Sequence, residues 1–211
     1  MSPSVTPGIL VTEDLVTTAD GMLRTIEHYD RATFIHLEAV GELSEKLALE
    51  MGLTPMQAGV AKLVGRLHDM GKVAISRDIL LKPGPLTDDE WAEIRMHPVI
   101  GYDILAKAET HNGIFGMLRL AKLARAHHER MDGAGYPDRL YGYEIPIESR
   151  LVAVTDAFHA MTVGRPYCRT KTPGEAIAEL HRCAGTQFDH DIVEVFTMML
   201  GRSRSIQQLS A

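Results

Sequence analysis

The chain has 211 residues, of which 45% are hydrophobic and 24% are charged, a balance that is ordinary for one globular domain with its own core. A net charge of −6 excludes the broad basic surface on which a general nucleic-acid-binding protein relies. The sequence has no apolar run of the ~18 residues typical of a membrane span and no signal-like start, so we expect a cytoplasmic protein with no membrane partner. It has no CxxC pair, so we expect free thiols at Cys168 and Cys183.

The first third of the chain predicts three helices after a loose tail of about ten residues. The first is predicted over residues 13–28. Apolar residues recur at helical spacing over residues 33–50, and Gly52 is suited to end that helix. Thr54 and the proline after it are typical of a helix start, and the third helix is predicted over residues 55–70.

The rest of the chain predicts further helices separated by loops. Thr87 and Glu90 form a capping-box pattern, which predicts a helix that carries His97 near its end. Another helix is predicted over residues 114–130, followed by a loop rich in glycine and proline. The last predicted helices span residues 148–161, 173–183 and 190–200. Because strand patterns are weak throughout, the sequence predicts an all-α fold of about seven or eight helices.

The adjacent pair His68 and Asp69 follows an apolar helix, which makes it a candidate metal site. A carboxylate buried in such a place is costly unless a metal or another cation compensates its charge. One oxygen of the carboxylate can bind the same metal as the histidine, and the other oxygen can reach a second metal. A lone His-Asp pair is more often a solvated helix end, so the interpretation depends on whether other candidate ligands occur in the chain.

Further nitrogen and oxygen ligands occur on other predicted helices. They are His36, His97, the pair His127 and His128, and Asp156, which lies in a strongly apolar stretch. Imidazole and carboxylate ligands from five helices suit iron or manganese better than a closed tetrahedral zinc site. Two such metals about 3.5–4 Å apart would activate water and bind a phosphoryl group.

The order H…HD…H…HH…D resembles that of the HD superfamily of metal-dependent phosphohydrolases. The blocks LHDMGKVAISRDILLKPGPLT, HPVIGYDIL, HHERMDGAGYP, RLVAVTDAFHAM and RPY resemble those of its HD-GYP family, in that family's order, over residues 36–188. The resemblance implies a single HD-type helical bundle with a buried metal centre. The catalytic domain would span residues 31–205, with an N-terminal extension over 1–30 that contains a helix and a tail over 206–211.

The resemblance also implies roles for individual residues. Two divalent ions, iron or manganese, would be held by His36, His68, Asp69, His97, His127, His128 and Asp156, with Asp69 as the bridging and catalytic carboxylate. Lys72 would neutralise charge on the phosphate, and Arg165 would bind a substrate phosphate. The loop residues Gly135, Tyr136 and Pro137 would brace the site or contact the substrate or a protein partner.

The implied activity is hydrolysis of a cyclic dinucleotide, with cyclic di-GMP favoured over the mixed cyclic GMP-AMP. The product would be the linear dinucleotide, with GMP as a further product. Two alternatives stay open. A degenerate domain could bind nucleotide or protein without turnover, and a di-iron oxygenase uses a similar ligand set on the same scaffold.

Three positions depart from the family pattern. Ala32 stands where some members have a glutamate for a third metal, which favours two metals here. His159 replaces the usual aspartate, and it would be either a polar partner of a neighbouring side chain or an extra ligand. Cys168 replaces a residue that is often basic, which puts the strength or identity of substrate binding in question.

Overall fold

The structure is a computed structural model that describes residues 10–163 and 170–209. Within these ranges the chain forms ten α-helices, two 3-10 helices and, in place of strands, one isolated bridge between Ala184 and Phe188. The α-helices are α1 (Glu13–Tyr29), α2 (Arg31–Glu50), α3 (Pro55–Leu67), α4 (Arg77–Leu80), α5 (Asp88–Ile94), α6 (His97–Asn112), α7 (Met117–Arg125), α8 (Ile147–Val163), α9 (Pro173–Cys183) and α10 (His190–Leu209). The 3-10 helices are Met70–Ala74 and Gly142–Glu144.

The predicted all-α fold is confirmed. Eight of the ten described α-helices have nine residues or more, in agreement with the expected seven or eight. None of the helices in the described ranges has the length and apolar character needed to cross a membrane.

Capping explains where two of the predicted helices begin. The Thr54 hydroxyl accepts a hydrogen bond from the backbone N–H of Gln57, whose side chain accepts one from the N–H of Thr54. Thr87 and Glu90 form the same reciprocal pair at the start of α5. Each box satisfies two backbone donors that the helix itself leaves unpaired.

The prediction that His97 lies near the end of the helix opened by Thr87 is wrong. That helix, α5, ends at Ile94, and His97 is the first residue of α6. Pro98 accounts for the restart, because a proline has no N–H to donate and fits the first turn of a helix, where none is needed.

The helix predicted to run to residue 130 also ends earlier, at Arg125. The N–H groups of Ala126 and His127 bond to carbonyls three residues back, at 3.2 and 3.3 Å, which is the tighter pattern common at helix ends. His127 and His128 therefore lie in the turn after α7, and His68 and Asp69 likewise lie just beyond α3.

Two apolar clusters form the core. The first draws mainly on α1, α2, α3, α6 and α7, and the second on α2, α3, α8, α9 and α10. Leu15 and Leu23 of α1 are buried in the first cluster, and truncating such a leucine to alanine costs about 2–5 kcal/mol. The N-terminal helix is thus packed into the core.

Close helix approaches at glycine bring the site segments together. A Cβ on Gly65 would lie 2.9 Å from the Cα of Gly41, so α3 crosses α2 with no room for a side chain. A Cβ on Gly71 would lie 2.0 Å from the carbonyl oxygen of His97, so the first 3-10 helix touches the start of α6. The first approach places His36 beside His68, and the second places Asp69 beside His97.

Candidate metal centre

Asp69 lies between two groups of histidines, each facing one of its oxygens. Oδ1 lies 3.1 Å from Nε2 of His97 and 4.0 Å from Nε2 of His127. Oδ2 lies 3.3 Å from Nε2 of His68 and 4.0 Å from Nε2 of His36. Asp69 is buried, with 2% of its surface exposed, so these contacts are sheltered from solvent.

The remaining predicted ligands complete the two groups. Oδ1 of Asp156 lies 3.1 Å from Nε2 of His36 and 3.8 Å from Nε2 of His68. On the other side, the rings of His127 and His128 lie 3.9 Å apart between centroids. Among the residues that the structure describes, three sets of side chains have ligand atoms within 4.8 Å of one another: His36, His68 and Asp156; His97, His127 and His128; and His68, Asp69 and His127. All seven predicted ligands therefore converge on one cluster.

Backbone carbonyls orient three of the histidine rings. Each ring donates from Nδ1 to the carbonyl three residues earlier, near the end of α3, α5 or α7. The bonds are His68 to Gly65 (2.7 Å), His97 to Ile94 (2.7 Å) and His127 to Ala124 (2.6 Å). Carbonyls in the last turn of a helix lack partners within the helix. Because a carbonyl only accepts, Nδ1 carries the hydrogen, and Nε2 is left with a lone pair that faces the cluster.

Four buried side-chain nitrogen and oxygen atoms in the described residues have no hydrogen-bond partner, and all four belong to this cluster. They are Nε2 of His36, Nε2 of His68, Oδ1 of Asp69 and Oδ1 of Asp156. An unsatisfied buried polar atom costs about 1–3 kcal/mol, so four in one place are expected only where a ligand completes them. Imidazole nitrogens and carboxylate oxygens bind divalent transition metals, and the residues present fit such ions.

The protonation states of the cluster favour cation binding. Burial acts to raise the pKa of Asp69, but the charge of Lys72 and the contacts with His68 and His97 outweigh it and hold that pKa well below its usual range. Burial, together with the neighbouring His97, lowers the pKa of His128 to about 3. At neutral pH Asp69 is thus ionised and the ring of His128 is neutral, the forms in which these groups bind metals.

The Gly-Tyr-Pro loop forms a wall of the cluster beside His128. The Tyr136 ring stacks on the His128 ring, with 4.8 Å between centroids and 28° between planes, and the Arg95 guanidinium lies 5.7 Å from the Tyr136 centroid. Gly135 is buried, and a Cβ there would lie 2.6 Å from the Cα of Glu129. The loop can approach His128 this closely only because position 135 has no side chain.

Glu129 holds the same loop from inside. Its Oε1 accepts the backbone N–H groups of Asp138 and Arg139 at 2.7 and 3.1 Å, and its Oε2 accepts that of Leu140 at 3.0 Å. The buried carboxylate of Glu129 therefore braces the loop through three backbone N–H groups.

Two polar residues near the cluster were given no definite role from sequence. His159 places its Nδ1 2.8 Å from Nδ1 of His36, and burial and the proximity of His36 lower its pKa to about 4. Arg95 lies over Tyr136 but occurs two residues before His97 with no motif to mark it. Arg165 and Cys168, for which the sequence made predictions, lie outside the described residues.

Comparison with known proteins gives consistent matches over most of the chain. The HD domain family matches residues 20–192. The chain is 38% identical over 187 residues to the cyclic di-GMP phosphodiesterase response regulator RpfG of Xanthomonas campestris, covering 89% of this chain and 48% of that protein. It is 37% identical over 175 residues to the 3′3′-cGAMP-specific phosphodiesterase 2 of Vibrio cholerae, covering 82% of this chain and 33% of that protein.

A solved structure supports the fold. Bd1817 of Bdellovibrio bacteriovorus, described as an HDG"Y"P protein, superposes with a TM-score of 0.65 at 16% identity, covering 88% of this chain and 63% of that chain. The chain spans about half the length of the first relative and a third of the second. The family match over residues 20–192, together with the HHERMDGAGYP block, shows that the chain belongs to the HD-domain family and to its HD-GYP group.

Proposed function

We propose that this protein is a cyclic-dinucleotide phosphodiesterase that uses two divalent metal ions and acts on cyclic di-GMP. The observation that carries the proposal is the position of Asp69, whose two oxygens face two different groups of buried ligand atoms. A carboxylate placed in this way can join two ions into one centre. The relatives named for hydrolysis of cyclic di-GMP and 3′3′-cGAMP give the substrate class.

Each ion would have its own set of ligands. One would be held by His36, His68, Asp156 and Oδ2 of Asp69, and the other by His97, His127, His128 and Oδ1 of Asp69. When bound, two divalent ions lower the pKa of a water between them and bind the oxygens of a phosphate. Iron or manganese suits this mixture of nitrogen and oxygen ligands. Ala32, one turn before His36 on α2, has no donor atom for a third ion.

Lys72 supplies a positive charge at the edge of the centre. It lies in the first 3-10 helix, is half-buried and donates from Nζ to Oδ2 of Asp69. As water attacks phosphorus, charge accumulates on the phosphate oxygens, and a fixed ammonium group beside them stabilises that charge. The bond to Asp69 keeps the ammonium group in place before substrate arrives.

The rest of the substrate needs contacts beyond the ions. The exposed Arg95 and the ring of Tyr136 line the wall next to His128, where a base or the second phosphate of a cyclic dinucleotide would lie. Arg165 is proposed, from the family resemblance, to bind a substrate phosphate through its planar guanidinium. Addition of one water opens one phosphodiester bond and gives the linear dinucleotide, and a second addition gives mononucleotides.

The test is turnover by protein of known metal content. Protein freed of metal with a chelator and protein reloaded with Mn²⁺, or anaerobically with Fe²⁺, are incubated with cyclic di-GMP and with 3′3′-cGAMP, and products are separated by chromatography. We expect the reloaded protein to form the linear dinucleotide and the chelated protein to form none. Reloaded protein that holds two ions and opens neither substrate would contradict the proposal and favour a binding module without turnover.

A further inference from the structure

His36 differs from three other site histidines in what its Nδ1 contacts. His68, His97 and His127 each donate to a backbone carbonyl near a helix end. His36 lies within α2, where the carbonyls one turn earlier already accept the hydrogen bonds of the helix. Its Nδ1 lies instead 2.8 Å from Nδ1 of His159 on α8, a residue 123 positions away in the chain.

The short contact limits which nitrogen of each ring can carry a hydrogen. Two ring nitrogens at this distance share one hydrogen, so one donates and the other accepts. Nε2 of His36 is buried without a hydrogen-bond partner and lies 3.1 Å from Oδ1 of Asp156. To offer a lone pair to a cation at Nε2, His36 must carry its hydrogen on Nδ1. His159 then accepts at Nδ1 and carries its own hydrogen on Nε2.

We propose that His159 is a positioning residue for His36: it accepts the Nδ1 hydrogen bond and holds the ring with Nε2 directed at the group formed by His36, His68 and Asp156. The inference rests on the proposed metal centre. Because Nδ1 of His159 is occupied by this bond, His159 acts through His36 and is not itself a ligand. In this role it replaces the backbone carbonyls that orient the rings of His68, His97 and His127.

The position of His159 on α8 supports this role. It follows Asp156 by three residues, which places both side chains on the same face of the helix. The rings of His36 and His159 lie 4.9 Å apart between centroids, with 54° between their planes. One helix therefore supplies a member of the group, Asp156, and the support for a second member, His36.

A purely structural role of His159 would not distinguish between the two groups of ligands. In the group formed by His97, His127 and His128, carbonyls near the ends of α5 and α7 orient the rings of His97 and His127, and the ring of His128 stacks on Tyr136. Loss of the hydrogen bond to His159 should therefore weaken the binding of one of the two ions and leave the affinity for the other unchanged. Removing a residue that orients a metal ligand typically costs 10–100-fold in affinity, and we expect about that loss at the His36 group.

The experiment measures Mn²⁺ binding to metal-free protein, with free Mn²⁺ followed by its electron paramagnetic resonance signal. His159→Leu removes the acceptor, whereas His159→Asn places its Oδ1 close to the position of the lost Nδ1. We expect wild-type protein to bind two ions, His159→Leu to bind one of them about 10–100-fold more weakly, and His159→Asn to stay close to wild type. His190→Leu, at an exposed position on α10, is the matched control and should change neither affinity.

Four outcomes would overturn the inference. In the first, His159→Leu binds both ions as tightly as wild type does. In the second, the affinities for both ions fall equally in His159→Leu. If His159→Leu does not fold, His159→Gln is used in its place, because the longer amide reaches the position of Nε2 and not that of Nδ1. Equal Mn²⁺ affinities of His159→Asn and His159→Gln would then contradict the inference. Wild-type protein that binds no Mn²⁺ would overturn the metal centre itself, and this inference with it.

Discussion

Lys72 donates a hydrogen bond from Nζ to Oδ2 of Asp69, three residues earlier in the chain. The turn of 3-10 helix that begins at Met70 makes this contact possible, because it folds the chain back over the carboxylate just beyond α3. The oxygen that accepts the bond is the one that faces His68. The ammonium group of Lys72 thus lies directly beside the carboxylate that is proposed to bridge the two ions.

We expect Lys72→Ala to lower turnover far more than it lowers metal content. Loss of one fixed cation beside a developing charge typically reduces kcat by about 10²–10³-fold. Steady-state kinetics and metal analysis on the same preparation would measure both effects. Lys82→Ala, which removes a cation paired with Glu90 instead, is the control and should leave kcat unchanged. A near-normal kcat in Lys72→Ala would show that Lys72 has no part in the chemistry.

Asp69→Ala should act differently, because it removes the carboxylate that both groups of ligands share. We expect the purified variant to lose at least one of two ions, and its activity with it. Metal content per chain, measured after reloading with excess Mn²⁺ and desalting, decides the point. Retention of two tightly bound ions without Asp69 would contradict the bridging position.

Gly135→Ala should destabilise the fold through the loop beside His128. The new Cβ would lie 2.5 Å from the backbone nitrogen of Arg130. Forcing a methyl group into such a packed place costs about 1–3 kcal/mol, which urea unfolding can measure. Gly21→Ala is the control, because nothing lies within 4 Å of its Cβ in α1 and alanine favours a helix by about 0.5–1 kcal/mol. Equal unfolding free energies for Gly135→Ala and wild type would show that the loop can move away.

The metal-free protein should lose stability as the pH falls below about 6.5, the ordinary pKa of histidine. Burial, with the proximity of His97, holds the pKa of His128 at about 3, and burial holds that of His127 well below its usual range. The unfolded chain takes up protons near pH 6.5 while these folded rings stay neutral, so acid favours the unfolded state.

Each such ring lowers the free energy of unfolding by about 1.4 kcal/mol per pH unit below pH 6.5. His68 acts in the opposite direction, because Asp69 raises its pKa against the effect of burial. Urea unfolding of metal-free protein at pH 7.0 and pH 5.5 measures the sum, with His128→Leu as the variant that should show a smaller loss. An unfolding free energy that rises on acidification would refute these pKa directions.

The residues that come together in the candidate site could be predicted from the sequence, because imidazole and carboxylate side chains are costly to bury alone. Asp156 in an apolar stretch and the His68–Asp69 pair could be recognised without any knowledge of the fold. Helix starts such as those at Thr54 and Thr87 could also be predicted, since a capping box is a local pattern.

The ends of the helices were harder to predict, because several end in tight turns that depend on tertiary packing. For this reason the sequence pattern predicts the wrong helix for His97, and it predicts helix where His127 and His128 lie in a turn. Because three of the site histidines follow the end of a helix, hydrogen bonds from their rings to backbone carbonyls of its last turn could have been expected. The contact between His36 and His159 joins distant parts of the chain, and only the packing of α2 against α8 shows it.

The central claim is that two metal ions share the Asp69 carboxylate, and anomalous scattering from crystals of Mn²⁺-loaded protein tests it most directly. We expect two peaks about 3.5–4 Å apart, one beside His36, His68 and Asp156 and the other beside His97, His127 and His128, with Asp69 between them. A single peak in the cluster, or a pair of peaks that Asp69 does not bridge, would contradict the claim.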